Sequence, residues 1–443
     1  MPMLRFAGLL LGMFAIGVMQ LILATALPFI VTEIGGSNLY GWVFSSYMLA
    51  SLATIPLFSK LADIYGKRRF YILGISIFAL GSLYGGLAPD MTHLITARVF
   101  QGLGAGIITP VAMSMVGEMF PAEKRGNMIG VFAFVQLLAN LLSPPLGSII
   151  TKQLGWYWIF FLNLGLVVIS ALLVVLGGKP QEIKSSMKPS EIDIAGGLIF
   201  GGFCVLAVSF SNIVSKQSYW DISGLLFLVA VIITAIALVI IEKRHKNPVI
   251  KIAFLKNNII RSSIISSILA GAIMYGLVTV LPLYGLILSQ QGYNLDESKI
   301  LLLFMVGITA GLLTGSRIVG KVKFRHLPRY LWIVILSSSI LMMYSVNIGN
   351  LVVFSLFNII IGLCTGGIMA TFLINSQNAI SNEDRTVLSG LIQLGRYFGA
   401  SIGVTLFAGM LPEVSLINEL GEFMGAFGLL IALCVIGLIN EIM

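Results

Sequence analysis

Two arginines sit where so apolar a chain should carry no charge. Arg98 lies part-way into one hydrophobic run, and Arg396 lies well inside another, in Gly395-Arg396-Tyr397-Phe398-Gly399. A guanidinium in hydrocarbon costs at least about 2.5–3.5 kcal/mol, so it must face a cavity or a partner, where its forked donors suit carboxylates and other anions. Gln20, Gln101, Asn140 and Gln393 also fall in apolar runs and could share those donors, which would leave the arginines a purely structural role. Tyr47, Tyr275 and Tyr397 could line an adaptable apolar pocket or simply pack. Bond-making chemistry is not expected. No Ser/His/Asp or metal-ligand constellation converges in the runs, and His93, His245 and His326 lie at run ends or between them. So do the acids Glu33, Asp90, Glu118, Asp296, Glu297 and Glu413. Cys204, Cys364 and Cys434 lie inside apolar runs with no short spacing and no neighbouring His, as packing residues do. The reading is therefore no enzyme, no cofactor and no metal.

The densest charge falls between two apolar runs, at residues 59–69: Ser-Lys-Leu-Ala-Asp-Ile-Tyr-Gly-Lys-Arg-Arg. A carboxylate at Asp63, a glycine at Gly66 and cations at Lys60, Lys67, Arg68 and Arg69 make a tight polar hinge. Flanked by segments built for lipid, such a hinge belongs at a membrane surface.

The elements that must position these residues are membrane helices. Of 443 residues, 58% are apolar and 10% charged, and the mean hydropathy is +1.00; a soluble domain carries about 25% charged residues. The net charge of +9 sits in short runs between hydrophobic spans rather than on one basic face, which argues against nucleic acid. Apolar runs long enough to cross about 30 Å of hydrocarbon recur roughly fourteen times, the first at 6–31. That run follows Arg5 with no small-residue cleavage site, and it reads as a retained first helix. The parse is a six-helix bundle at 1–177, a linker with two inserted spans (194–213 and 222–241) at 178–258, and a second six-helix bundle at 259–443. With the hinge on the inner face, about twenty of the 27 Lys and Arg fall on that side, which puts both termini in the cytoplasm.

Residues 59–69 resemble the signature loop of the major facilitator superfamily, Gly-x-Leu-Ala-Asp-x-x-Gly-Arg-Arg/Lys, with Ser59 at the usual first glycine. The second half keeps a degenerate copy, Gly315-Ser-Arg-Ile-Val-Gly-Lys-Val-Lys, without the acid. Further elements resemble the fourteen-helix drug/proton antiporter branch. They are Leu21-Ile-Leu-Ala-Thr-Ala-Leu-Pro28, Arg98-Val-Phe-Gln101-Gly102-Leu-Gly104-Ala-Gly106, Ser143-Pro144-Pro145-Leu146-Gly147-Ser148, and a Trp156 to Asn163 segment with Tyr157 where Arg is common. Gly102 and Gly106, four apart, also suit close helix approach in lipid. Pro144 and Pro145 should bend the fifth span near its outer end.

The resemblance implies an all-α membrane protein of major facilitator fold, two six-helix bundles plus two inserted helices. It implies a monomeric secondary transporter in a plasma membrane, of the prokaryotic inner-membrane kind, that exports hydrophobic or amphipathic compounds in exchange for protons. Substrate would bind near the midplane between the halves, with access alternating by rocking. Within that picture Asp63, Gly66, Arg68, Arg69 and Glu118 form a conformational latch, with Glu118 paired to Arg68 or Arg69. Gln20, Arg98, Gln101, Asn140, Arg396, Tyr47 and Tyr275 are cavity or coupling residues, and Gly102, Gly106, Pro144, Pro145 and Gly147 pack or bend helices. One departure bears on coupling: where the branch usually carries an Asp in the first helix, alignment on Ala26-Leu27-Pro28 puts Met19. An uncoupled carrier of an anionic or zwitterionic amphipath, lipid or metabolite is the alternative, and a non-transporting sensor or enzyme is a remote one.

Overall fold

The computed structural model describes residues 2–120, 122–178, 193–215, 222–245, 248, 251–321, 327–380, 385–412 and 419–442. Among these the chain is helical and contains no strand. Among the described residues fourteen helices are long and apolar enough to span a membrane, the number the sequence leads one to expect. Lipid requires this, because every backbone donor must be satisfied within its own segment.

The described chain divides into two compact units, Met1–Leu206 with Ala230–Val249 and Ala207–Val229 with Ile250–Met443, so that both inserted helices are shared between them. In the first unit, α1 (Pro2–Leu21) packs on α6 (Ala122–Leu154) and α7 (Tyr157–Leu176). Here α3 (Trp42–Tyr65) and α4 (Lys67–Gly86) both pack on α5 (Met91–Met119). The inserted helices are α8 (Ile194–Ser215) and α9 (Ile222–Arg244). In the second unit, α10 (Asn258–Gln290) packs on α14 (Arg385–Gly409), α11 (Glu297–Lys321) on α13 (Leu351–Asn378), and α12 (Leu327–Asn347) on α13 and α15 (Met424–Ile442).

The first span is not the single helix its hydropathy suggests. It stops at Leu21 and resumes as α2 (Leu23–Ile34). Ile22 keeps helical angles, φ −60° and ψ −33°, and donates from N to Val18 O at 2.9 Å, while the Thr25 hydroxyl lies 3.3 Å from the carbonyl oxygens of both Ile22 and Pro144. Ser143 Oγ reaches Val18 O at 3.2 Å from the facing helix. Meanwhile α6 runs unbroken through Pro144 and Pro145.

Glycines set the closest approach. Ser51 Oγ donates to Gly102 O at 2.9 Å, and a Cβ on Gly106 would sit 2.6 Å from Ser51 O and collide with the Thr54 hydroxyl. Without a hydrophobic drive between helices in lipid, such contact is what joins α3 to α5. Gly106→Val should accordingly destabilise the protein by about 1–3 kcal/mol, read as a lower thermal midpoint of the purified protein. Gly130→Val, where a Cβ meets nothing within 4 Å, should not. Equal midpoints for the two variants would show that this contact is dispensable.

Candidate functional site

Arg98 projects from α5 into a setting with no solvent contact at all, 0% exposed. Its Nε donates to Val43 O at 3.1 Å, and its Nη1 donates to Gln101 Oε1 at 2.7 Å and to Met19 O at 3.4 Å. The guanidinium carbon lies 4.2 Å from the centre of the Tyr47 ring, a cation–π stack that offsets part of the desolvation cost. Nη2 is buried without a hydrogen-bond partner. Gln101 is itself fixed, donating from Nε2 to Ser82 Oγ at 3.0 Å, which in turn bonds Phe78 O. Carbonyls, an amide and an aromatic face thus hold the cation in place without a carboxylate to neutralise it. Gln20, which follows Met19, has Nε2 3.7 Å from Met48 Sδ, and Asn140 accepts from Gln136 Nε2 at 3.3 Å on α6.

At the hinge, Gly66 adopts φ +108°, a backbone angle that side chains resist, and the chain turns from α3 into α4 there. The sequence pairs Glu118 with Arg68 or Arg69, but the structure gives it Lys67. Lys67 Nζ stands 2.5 Å from Glu118 Oε1 and 3.2 Å from Asp63 Oδ1. The first position after the glycine faces back toward α5. Arg68 is turned instead to Val175 O at 2.8 Å, at the end of α7, and Arg69 is exposed. Arg5 completes that end, donating from Nη2 to Gly177 O and Gly178 O at 3.0 Å, a cation on the negative end of a helix.

A model of the Major Facilitator Superfamily matches residues 9–404, nearly the whole chain. The chain belongs to the major facilitator superfamily. Among similar curated proteins are Multidrug resistance protein 3 of Bacillus subtilis, 30% identical over 90% of this chain and 78% of its own length, and the multidrug transporter MdtP of the same organism, 28% identical over 92% and 75%. Among solved structures, a peptide transporter in complex with sulfate superposes with a TM-score of 0.70 at 16% identity, covering 98% of this chain and 94% of that one. A bacterial homologue of the human lysosomal transporter Spinster, inward-facing and occupied, gives 0.69 at 14%, covering 99% and 95%. These two likenesses concern the fold. With fourteen spans and multidrug relatives, the chain fits the resemblance to the fourteen-helix branch of the superfamily.

In this superfamily member the second buried arginine is held more loosely than the first. Arg396 is half-buried, its guanidinium carbon 5.6 Å from the Tyr397 ring centre and its charge close enough to act on the buried Tyr275. Its Nε is buried without a partner. Of the rim acids, Glu33 accepts from Trp156 Nε1 at 3.0 Å. Asp90 caps α5 and bonds both the backbone N and ring Nδ1 of His93, which hold its carboxyl below the usual range. Sequence reasoning assigned Asp193 and Glu242 to linkers and Glu297 to a loop or span end, yet all three are buried. Hydropathy cannot see this, since a charge at a helix end looks alike in sequence whether it faces water or a neighbouring helix. Glu413 and His326 lie outside the described residues.

Proposed function

We propose that this transporter exports hydrophobic and amphipathic compounds across a plasma membrane by alternating access, with both termini in the cytoplasm and protons as the counter-ion. The multidrug relatives supply the efflux half of the reading. What carries its chemistry is Arg98, wholly buried, with Nη2 uncommitted and no carboxylate among its partners. The Met19 carbonyl, from the position where the branch usually carries an acid, is one of those partners. A site with an unneutralised guanidinium repels a second cation by about 4 kcal/mol at 4 Å in an effective dielectric of 20. Neutral, zwitterionic and anionic amphipaths should therefore outrank permanent cations, which favours the anion-preferring alternative on substrate and leaves proton coupling to acids elsewhere. In the same reading, Asp63, Lys67 and Glu118 form the charged chain of a hinge latch that biases one conformation.

The test is export from sealed proteoliposomes by the purified protein, run with cationic, neutral and anionic amphipathic dyes with and without a pH gradient. Anionic and neutral dyes should move faster. Arg396→Ala should slow the anionic dye selectively, by about tenfold for a lost charge-assisted bond of 1.5 kcal/mol or so. Gradient-driven export of a permanent cation at the rate of the anion would overturn the preference.

A further inference from the structure

One buried hydroxyl, on Ser82 of α4, decides which way a buried amide on α5 faces. Ser82, Gln101 and Arg98 are all fully enclosed, each 0% exposed. Ser82 Oγ donates its one proton to Phe78 O at 3.0 Å, so toward α5 its oxygen can only accept. Gln101 Nε2 meets that oxygen at 3.0 Å, which turns the amide with Oε1 toward Arg98, and Arg98 Nη1 donates to Oε1 at 2.7 Å. The reverse amide orientation fails at both ends. It would set the amide nitrogen against a guanidinium, which has only donors, and Oε1 against a hydroxyl whose proton is already used. The hydrogen bonds therefore run in one direction, from Arg98 through Gln101 and Ser82 to a carbonyl of α4. Gly81 lets the two helices come close enough for this, since a Cβ there would lie 2.8 Å from Gln101 N and 2.9 Å from Ala97 O.

From this geometry we propose that Ser82 is the positioning residue of the buried guanidinium, aiming Arg98 Nη2 through the Gln101 amide. Acceptors on three helices fix the guanidinium plane: Gln101 Oε1 on α5 and Met19 O on α1 hold Nη1, and Val43 O on α3 holds Nε. The Tyr47 ring lies against that plane. Nη2 is the nitrogen left over, with a set direction and no hydrogen-bond partner. Gln101 makes the shortest of the three bonds, 2.7 Å against 3.1 and 3.4 Å, and the Ser82 hydroxyl keeps its amide from turning over. Without that hydroxyl the amide nitrogen is buried with no acceptor on α4, and the amide turns or withdraws. Nη1 then loses its best acceptor, and rotation about the Cζ–Nε bond exchanges it with Nη2. Ser82 itself touches no substrate. Its bearing on specificity rests on the transport reading above, in which Nη2 is offered to anionic amphipaths.

Two readouts let the positioning and the transport reading fail separately. Solid-state nitrogen NMR of the full-length protein in lipid nanodiscs, with isotope-labelled arginine and with Arg98→Lys to identify the Arg98 signals, should show separate Nη1 and Nη2 resonances in the wild type. Ser82→Ala should merge them. Ser82→Cys, which keeps the volume but offers only a weak acceptor, should do the same and serves if the smaller side chain unfolds the protein. Ser82→Thr, whose hydroxyl can still bond the carbonyl one turn back, should restore the separate signals. Ser46→Ala removes a buried hydroxyl that has no hydrogen-bond partner and should leave them as they are. In proteoliposomes, Ser82→Ala should raise KM for an anionic dye about tenfold, the worth of one charge-assisted bond, and leave KM for a neutral dye unchanged. Separate Arg98 signals in a folded Ser82→Ala or Ser82→Cys protein would overturn the positioning. Merged signals with an unchanged KM for the anionic dye would uphold the positioning and overturn Nη2 as a substrate contact.

Discussion

Met19→Asp should turn the protein toward permanent cations. Arg98 Nη1 already reaches the Met19 carbonyl at 3.4 Å, so an acid introduced at residue 19 stands on the backbone unit that touches a guanidinium whose Nη2 has no hydrogen-bond partner. Neutralising the cation removes a repulsion of about 4 kcal/mol at 4 Å and an effective dielectric of 20. If only a third of that reaches the substrate, the ratio of cationic to anionic dye export rises about tenfold, since 1.4 kcal/mol is a factor of ten. The fold should tolerate the change, because a buried carboxylate beside an unmet donor is paired rather than stranded. Dye export from proteoliposomes checks the ratio, and the thermal midpoint checks the fold. An unchanged ratio in a folded Met19→Asp protein would mean that Arg98 is a packing residue and does not set substrate charge.

How much of this was readable in advance follows the range of the interactions involved. The spans were legible because a membrane helix is a local statement about hydropathy and length, and the hinge was legible because Gly66, with φ +108°, must be glycine whatever surrounds it. The placement of Arg98 beside Gln101 was also local, three residues apart on one helix. What the sequence could not supply were partners from distant segments. Nothing near Glu118 distinguishes Lys67 from Arg68 as its cation; the direction in which α4 leaves the hinge decides it. The contact between the Thr25 hydroxyl and the Pro144 carbonyl of α6 joins residues 119 positions apart. Asp193 and Glu242 each lie at the end of a hydropathy run, and only the fold shows that both are buried.

Lys67→Met should have the largest effect of any single change at the hinge. The ammonium bridges Asp63 at 3.2 Å and Glu118 at 2.5 Å, and Lys67 and Glu118 are only 16% and 20% exposed, so the contact is shielded more than a surface ion pair. Removing it leaves Glu118 half-shielded without its cation, and charge-assisted bonds of this kind contribute about 1.5–3 kcal/mol. If the bridge exists in only one of the two transport conformations, that amount shifts the balance between them by tenfold or more. Transport should slow by about that factor, while the thermal midpoint falls by only a few degrees, because a loss of a few kcal/mol is small against the unfolding enthalpy of so large a chain. Arg69→Ala removes one positive charge a few residues away from an exposed position, and it should leave the rate near wild type. The comparison separates the latch from a general charge effect. Equal slowing in both variants would assign the effect to surface potential, and a wild-type rate in well-folded Lys67→Met would eliminate the latch.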